Sequence, residues 1–380
     1  MIKRTLKNSI ASYCFKGKTI LLIGARQVGK TTLLREVVKE INKPSIWLNA
    51  DEADILEDLI NAKTSTQLLQ LIGSKNKLVV IDEAQQVPDI GKKLKLIYDN
   101  YPEIQVIATG SSAFDLQNNT EEPLTGRKKT FYLYPFSYKE LSDAHSPREA
   151  KRLLNTRLIY GSYPDVVNHP GDEKEHLIEL AQSYLYKDIL ELENIRKPMH
   201  IEKLLKALAF QVGSEVSYNE LAQTVGNMDT ATVEKYLDLL EKTFVIFKLP
   251  SYHRNRRNEL KKSKKYYFYD TGVRNVLINN FTSPDMRLDK GALWENYLIA
   301  ERLKRNRYHN QFANTYFWRT KDKAEIDYLE EADGILSAFE IKWKKQKVRF
   351  PLSFLESYPN HQTHVVNREN YEGFLLPVRD

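Results

Sequence analysis

The chain is predicted to be an α/β protein: an open parallel sheet in its first third, a mainly helical middle and a mixed α/β end. Three observations predict this. Short apolar runs recur at Thr19–Ile23, Ser45–Leu48, Leu78–Ile81, Val106–Ala108 and Phe131–Leu133, with stretches between them long enough for crossover helices. A glycine-bearing stretch, Gly24-Ala25-Arg26-Gln27-Val28-Gly29-Lys30-Thr31, joins the first run to the helically spaced Thr32-Leu33-Leu34-Arg35-Glu36-Val37-Val38. From Pro147 strand-length spacing gives way to helical periodicity, and strands return only from Phe244 onward.

The glycine-bearing stretch fits the phosphate-binding pattern G-x-x-x-x-G-K-[ST] at every fixed position, in the strand, loop and helix context that the pattern requires. In such a loop the backbone N–H groups from Gly24 to Thr32 and the free helix N-terminus face the phosphates, and the glycines permit close approach. Lys30 supplies a point charge, and the Thr31 hydroxyl binds Mg2+. The expected ligand is therefore a nucleoside triphosphate with Mg2+. A second signature is Leu78-Val79-Val80-Ile81-Asp82-Glu83, an apolar strand ending in adjacent carboxylates. Asp82 is placed to bind the metal with Thr31, and Glu83 to polarise an attacking water.

The next strand, Ile104–Ala108, runs into Thr109-Gly110-Ser111-Ser112, where a small hydroxyl either senses the γ-phosphate or serves as a turn residue. Leu124-Thr125-Gly126-Arg127 precedes the last strand of the module. Arg127 is the guanidinium expected to stabilise phosphoryl transfer, within its own subunit or across to a neighbour, with a solvated loop beside Lys128 and Lys129 as the alternative.

These four stretches, with Asp82-Glu83-Ala84-Gln85 as the acid element, resemble the AAA-type P-loop ATPases of archaea and bacteria. The resemblance implies a P-loop NTPase core with an added sheet strand. It further implies Lys30 and Thr31 at the phosphates and metal, Asp82 on Mg2+, Glu83 as the base and Ser111 as a sensor.

The core is expected to span residues 1–145, followed by a helical lid at 146–195. Arg148–Tyr160 and Glu173–Leu192 read as amphipathic helices around the turn Gly161-Ser162-Tyr163-Pro164. Residues 196–270 read as three helices, His200–Gln211, Ser217–Val225 and Ala231–Lys242, and a hairpin from Phe244–Leu249 and Tyr266–Tyr269, which resembles a winged helix-turn-helix. Ser217 with Glu220 forms a capping box, and Asp270-Thr271-Gly272 caps the next helix. The hairpin tip gathers Arg254, Arg256, Arg257, Lys261, Lys262, Lys264 and Lys265 against Glu259, a cluster suited to phosphate contacts or to docking between domains. The third helix carries Glu234, Asp238 and Glu241 against Lys235 and Lys242, which argues against base-specific reading.

Residues 271–380 start with a helix from Gly291, followed by strands at Tyr316–Arg319, Ala324–Tyr328 and Leu336–Trp343 with a turn at Asp333-Gly334. Residues i and i+2 of a strand share a face, so Glu340 and Lys342 project together, as do Glu325 and Asp327. If Asp327 sits opposite Glu340, the carboxylates bind a divalent ion and Lys342 steadies the attacking water. The order Glu295, Asp327, Glu340-x-Lys342 resembles the PD-(D/E)xK nucleases, a restriction-endonuclease-like α/β domain, and also the C-terminal domain of unknown function that accompanies these ATPases. Glu295, Asp327 and Glu340 are then the metal ligands. Lys344, Lys345, Lys347 and Arg349 extend the positive surface.

With 380 residues the chain is long enough for several cores, and 28% charged with 42% hydrophobic residues is a soluble composition without a membrane-length apolar run. Met1–Ser12 lacks the apolar stretch of a signal peptide, and one cysteine, Cys14, excludes an internal disulfide; the expected compartment is the cytoplasm. A net charge of +7 mildly favours polyanionic partners. Two readings of function result: an ATPase controlling a nucleic-acid-facing, metal-dependent nuclease domain, or a nucleotide-dependent switch that binds a protein partner and cuts nothing.

Overall fold

The computed structural model describes residues 2–111, 124–183, 198–226, 228–253, 263–320 and 322–377. Arg254, Arg256, Arg257, Glu259, Lys261 and Lys262 of the basic hairpin lie outside these residues, as does Ser112. The chain divides into two compact units, Met1–Tyr134 with Lys242–Phe244, and Pro135–Glu241 with Val245–Asp380. No helix among the described residues is long and apolar enough to cross a membrane.

The first unit is a parallel sheet of β1 (Thr19–Ile23), β2 (Ser45–Asn49), β3 (Leu78–Asp82), β4 (Gln105–Gly110) and β5 (Lys128–Tyr132). Their order is β2-β3-β4-β1-β5, so β4 stands between the strand that leads into the glycine-bearing loop and the strand that ends in the acids. β1, β3 and β4 are buried along their whole length, as central strands covered on both faces must be. The expected last strand, Phe131–Leu133, begins three residues earlier because backbone pairing with β1 starts at Thr19 opposite Lys128, and edge strands tolerate such polar residues.

In the second unit the helices Pro198–Phe210, Tyr218–Gly226 and Thr230–Lys242 precede an antiparallel pair, β7 (Ile246–Pro250) and β8 (Lys264–Phe268). The short β6 (Glu215–Val216) joins β8 to complete a three-stranded sheet, and the Ser217 hydroxyl accepts from the Glu220 N–H at 3.4 Å, the forward half of the expected capping box. The helix Lys290–Tyr308 then leads into β9 (Asn314–Arg319), β10 (Glu325–Ala332), β11 (Ile335–Ile341) and β12 (His361–Val366), a sheet in the order β12-β11-β10-β9 with β11 and β12 parallel.

The segments expected as lid, hairpin domain and terminal domain lie in this one compact unit, together with residues 135–145 expected in the core, and buried polar contacts run between them. Asp270 caps the helix Thr271–Leu277 through the N–H groups of Gly272 and Val273, and also accepts from the Ser162 N–H at 2.7 Å. Asn275 donates to the carbonyls of Leu158 and Ile159 at 2.9 and 2.8 Å. Tyr138 donates its N–H to Glu301 at 2.6 Å and its hydroxyl to Glu372 at 2.8 Å. The single helix expected over Arg148–Tyr160 is two, Pro147–Arg152 and Leu154–Tyr160, joined at Leu153. That expected over Glu173–Leu192 is described as Glu173–Leu180, and residues from 184 lie outside the described ones.

Gly161 is required twice over: its φ of +76° with ψ of −162° is a conformation open to glycine, and a Cβ there would meet Asp270 Oδ1 at 1.9 Å. Gly161→Ala is expected to lower the stability of this unit by about 2–4 kcal/mol in urea denaturation. Gly171→Ala, with positive φ but open space around it, should cost about 1 kcal/mol.

Candidate functional site

β1 ends at Ile23 and the chain turns through Gly24 to Gly29 before the helix Lys30–Ile41 begins. Gly24 passes so close to the end of β5 that a Cβ would meet the Leu133 carbonyl oxygen at 2.2 Å. Gly29 takes φ +90° at the helix N-cap and Gln27 takes φ +60°, which winds the loop around its own backbone. Ala25 and Val28 are buried and anchor it, Arg26 is half-buried, and Gln27 and Thr32 are exposed. Lys30 is buried, and its Nζ donates to the carbonyls of Gly24 and Ala25 at 2.9 and 3.0 Å, so the ammonium already stands inside the loop.

Asp82, the last residue of β3, is held by two hydroxyls. Thr31 Oγ1 donates to its Oδ2 at 2.8 Å, and Thr109, near the end of β4, donates to its Oδ1. The Thr31–Asp82 separation is close to the edge of an octahedral Mg2+ shell, about 2.9 Å for ligands at 2.0–2.1 Å, so the two oxygens can serve as neighbouring ligands. Thr109 also accepts from the Glu83 N–H at 3.1 Å, which fixes Glu83 at a left-handed φ of +50° just beyond the strand. Gln85 extends the chain, its amide donating to the Glu83 carboxylate and, at 3.2 Å, to the Ser111 hydroxyl. The Gln85 carbonyl oxygen is buried without a partner, a costly state that a bound water or ligand hydroxyl relieves.

Lys30, Thr31, Asp82, Glu83 and Ser111 therefore come together as expected, and sequence reasoning missed three neighbours. Thr109 had been treated as part of a hydroxyl-rich turn, and Gln85 as part of a motif without a role. Asp51, just beyond β2, has its pKa raised from its ordinary value by partial desolvation and by the neighbouring Glu83. The adjacency of β2 to β3 brings it there, which no local pattern announces.

Arg127 is a correction. It lies at the start of β5, where its carbonyl accepts from the Thr19 N–H, so it flanks the beginning of β1 while the loop follows the end of that strand. Five strand residues at about 3.3 Å each separate the two edges of the sheet. Its guanidinium is engaged there by Asp99 at 2.9 Å and stacks over Tyr98. The structure does not bring it to the loop of its own chain.

In the second unit Tyr328 pairs with Phe339, which carries the register on to Asp327 opposite Glu340. Asp327 Oδ2 accepts from the Ile341 N–H at 2.7 Å, and Lys342 Nζ bridges Asp327 at 3.3 Å and Glu340 at 2.6 Å. A bulge between Ile326 and Leu329, against Trp318 and Tyr316 of β9, sets the local aim of Asp327. Glu295 comes from the helix Lys290–Tyr308 and accepts from the Tyr267 hydroxyl at 2.6 Å. Asp327, Glu340 and Lys342 come together as expected, but Glu295 does not join Asp327 and Glu340 as a third metal ligand: among the described residues these three acids do not bring their oxygens within 4.8 Å of one another.

Lys265 corrects the reading of the hairpin as a run of exposed charge. It lies on β8 at 1% exposure, with Nζ 3.5 Å from Glu295 and 2.5 Å from Glu325. Burial alone would lower its pKa, but Glu295 and Glu325 outweigh that and hold it above the ordinary value. Lys264 sits beside the Tyr218 hydroxyl at 3.1 Å. Four carboxylates thus face two ammonium groups, a formal excess of two negative charges. Arg319, 3.6 Å from Glu325, is balanced by Glu215 at 3.1 Å. Burial, with Asp327 nearby, pushes Glu340 up to about 7, and burial likewise pushes Glu295 up to about 7 against the pull of Lys265.

Lys265→Met leaves the half-buried Glu295 and Glu325 without the ammonium between them, with only Arg319 still near Glu325, and is expected to destabilise the unit by about 1–3 kcal/mol in urea denaturation. The double variant Lys265→Met with Glu325→Gln should recover part of that loss.

Comparison with known proteins agrees with this geometry. Residues 16–142 match a family model described as an AAA domain, and residues 151–284 and 290–373 match two models described as domains of unknown function, DUF8612 and DUF4143. An uncharacterized protein of Mycobacterium tuberculosis is 27% identical over 333 residues, covering 86% of this chain and 70% of the relative. One from Haemophilus influenzae is 27% identical over 347 residues, covering 84% and 82%. The solved structure of a Walker-type ATPase of Pyrococcus abyssi superposes with a TM-score of 0.50 at 19% identity, covering 73% of this chain and 96% of that one, which is a likeness of fold. By its loop, its strand order and its family match, the N-terminal part of the chain is similar to AAA-type P-loop domains.

Proposed function

We propose that the chain is an ATP-hydrolysing AAA-type protein whose nucleotide state controls a nucleic-acid-facing, metal-dependent nuclease-like region at its C-terminal end. The observation that carries the first half is the junction of Thr31, Asp82 and Glu83 beside a loop that already encloses the Lys30 ammonium. The likeness in fold to a Walker-type ATPase supports the same reading. When bound, the Mg2+ triphosphate supplies an electrophilic phosphorus with its charge partly neutralised. Loop N–H groups and Lys30 would hold the phosphates, and Thr31 with Asp82 would hold the metal. Glu83 takes the proton of the attacking water, and the Gln85–Ser111 pair positions that carboxylate. Arg127 has no part within its own subunit in this scheme.

The second half rests on Asp327, Glu340 and Lys342 in contact on adjacent strands, with Glu295 close by. The exposed Lys344, Lys345, Lys347 and Arg349 follow directly after β11 and offer a polyanion its counter-charge. One observation favours a rival reading. The Lys265 ammonium already neutralises Glu295 and Glu325, as in a nuclease-like fold retained for binding a protein partner, with nucleotide as the switch.

Lys30→Ala should lose nucleotide binding or turnover, and Glu83→Gln should bind ATP normally while kcat falls about a hundredfold or more, measured by calorimetry and phosphate release. Normal turnover in both variants removes the ATPase assignment. Cleavage of DNA or RNA with Mg2+ or Mn2+, lost in Glu340→Ala and Lys342→Ala, is the expected outcome for the C-terminal cluster. Absence of cleavage on single- and double-stranded forms of both nucleic acids removes the nuclease half and favours the partner-binding switch.

A further inference from the structure

Outside both sites, three side chains of the helical segment converge on one point. Asp165 lies in the short helix Pro164–Asn168, His169 is that helix's C-cap, and His176 lies in the first turn of Glu173–Leu180. Asp165 Oδ2 is 2.8 Å from His176 Nδ1, and Asp165 Oδ1 is 3.3 Å from His169 Nδ1. The two imidazoles lie face to face, with centroids 3.9 Å apart and planes within 4° of parallel. One ligand atom from each residue lies within 4.8 Å of the others.

We infer that Asp165, His169 and His176 form a binding site for a transition-metal ion of the Zn2+, Co2+ or Ni2+ class, which pins the two helices together across the turn at Gly171. Imidazole nitrogens with one carboxylate are the donor set these ions select, whereas Mg2+ and Ca2+ select oxygen. In a tetrahedral Zn2+ shell, with bonds of 2.0–2.2 Å, neighbouring donors stand about 3.3 Å apart. The Asp165–His169 separation has that value, but the parallel rings hold their in-plane lone pairs in separate planes, so binding turns the exposed His169 ring out of the stack and away from the Asp165 carbonyl to meet the ion beside His176.

An ordinary histidine–carboxylate pair accounts for one ring, but not for a second imidazole stacked on it and turned to the same carboxylate. His169 also directs Nδ1 to the Asp165 carbonyl at 2.8 Å, which fixes the ring's orientation without an ion. The half-exposed rings leave an entry path from solvent.

The test titrates untagged full-length protein with ZnCl2 in a calorimeter and with CoCl2 in an absorbance cell. One equivalent of metal is expected to bind with visible d–d bands of a Co2+–imidazole centre. His169→Ala and His176→Ala should each weaken this binding about a hundredfold, or abolish it, and remove the bands. Glu202→Gln, a surface carboxylate outside every site described, should keep the full Co2+ signal. His176→Gln, a milder change at a surface position, guards against a folding defect, with circular dichroism as the check. Undiminished binding in both histidine variants, or no binding by the parent chain at a hundred micromolar metal, overturns the assignment.

Discussion

The constraint on which the N-terminal unit depends is the need to keep one buried carboxylate satisfied. Asp82 is 5% exposed, and an unpaired charge at that depth would be far more costly than any surface contact returns. It is satisfied by hydroxyls from two elements, Thr31 after β1 and Thr109 on β4, and Thr109 in turn fixes the backbone of Glu83. Since β4 stands between β1 and β3, these bonds run across three strands and tie the glycine-bearing loop to the acid-bearing end of the sheet. The same bonds stabilise the sheet and set the geometry of the loop's chemistry.

What could be read in the sequence follows from which interactions are local. The loop from Gly24 to Thr31 and the strand ending in Asp82-Glu83 are defined by contiguous residues, and both lie where their patterns place them. Roles set by topology were not legible. Arg127 is close in sequence to β5, but only the parallel pairing of β5 with β1 reveals which edge of the sheet it occupies. Thr109 and Asp51 gain their positions from strand order, whereas Gln85 reaches Glu83 from two residues along the same turn. Leu153 separates two helices with no proline or glycine to mark the break.

The second unit shows the reverse relation between charge and exposure. A run of lysines ordinarily marks a solvated surface, and Lys264 and Lys265 were grouped with the hairpin tip on that ground. Strand alternation separates them: Lys264 is half-buried against Tyr218, while Lys265 turns inward to the acids. The register of Asp327 against Glu340 was foreseeable from the turn at Asp333-Gly334, because a tight turn fixes which residues face each other. The identity of the counterion was not, since it arrives from a strand some sixty residues earlier.

That counterion bears on how the molecule can be dissected. The boundary between the two regions of unknown function falls between residues 284 and 290, whereas Lys265 belongs to the earlier region and Glu295, Glu325 and Asp327 to the later one. A fragment beginning near residue 290 would carry its acids without the ammonium that offsets them and would also lack Tyr267, the hydrogen-bond donor to Glu295. Such a piece would fold poorly or ionise differently from the same residues in the intact chain. The smallest portion that keeps this electrostatic balance has to include β8.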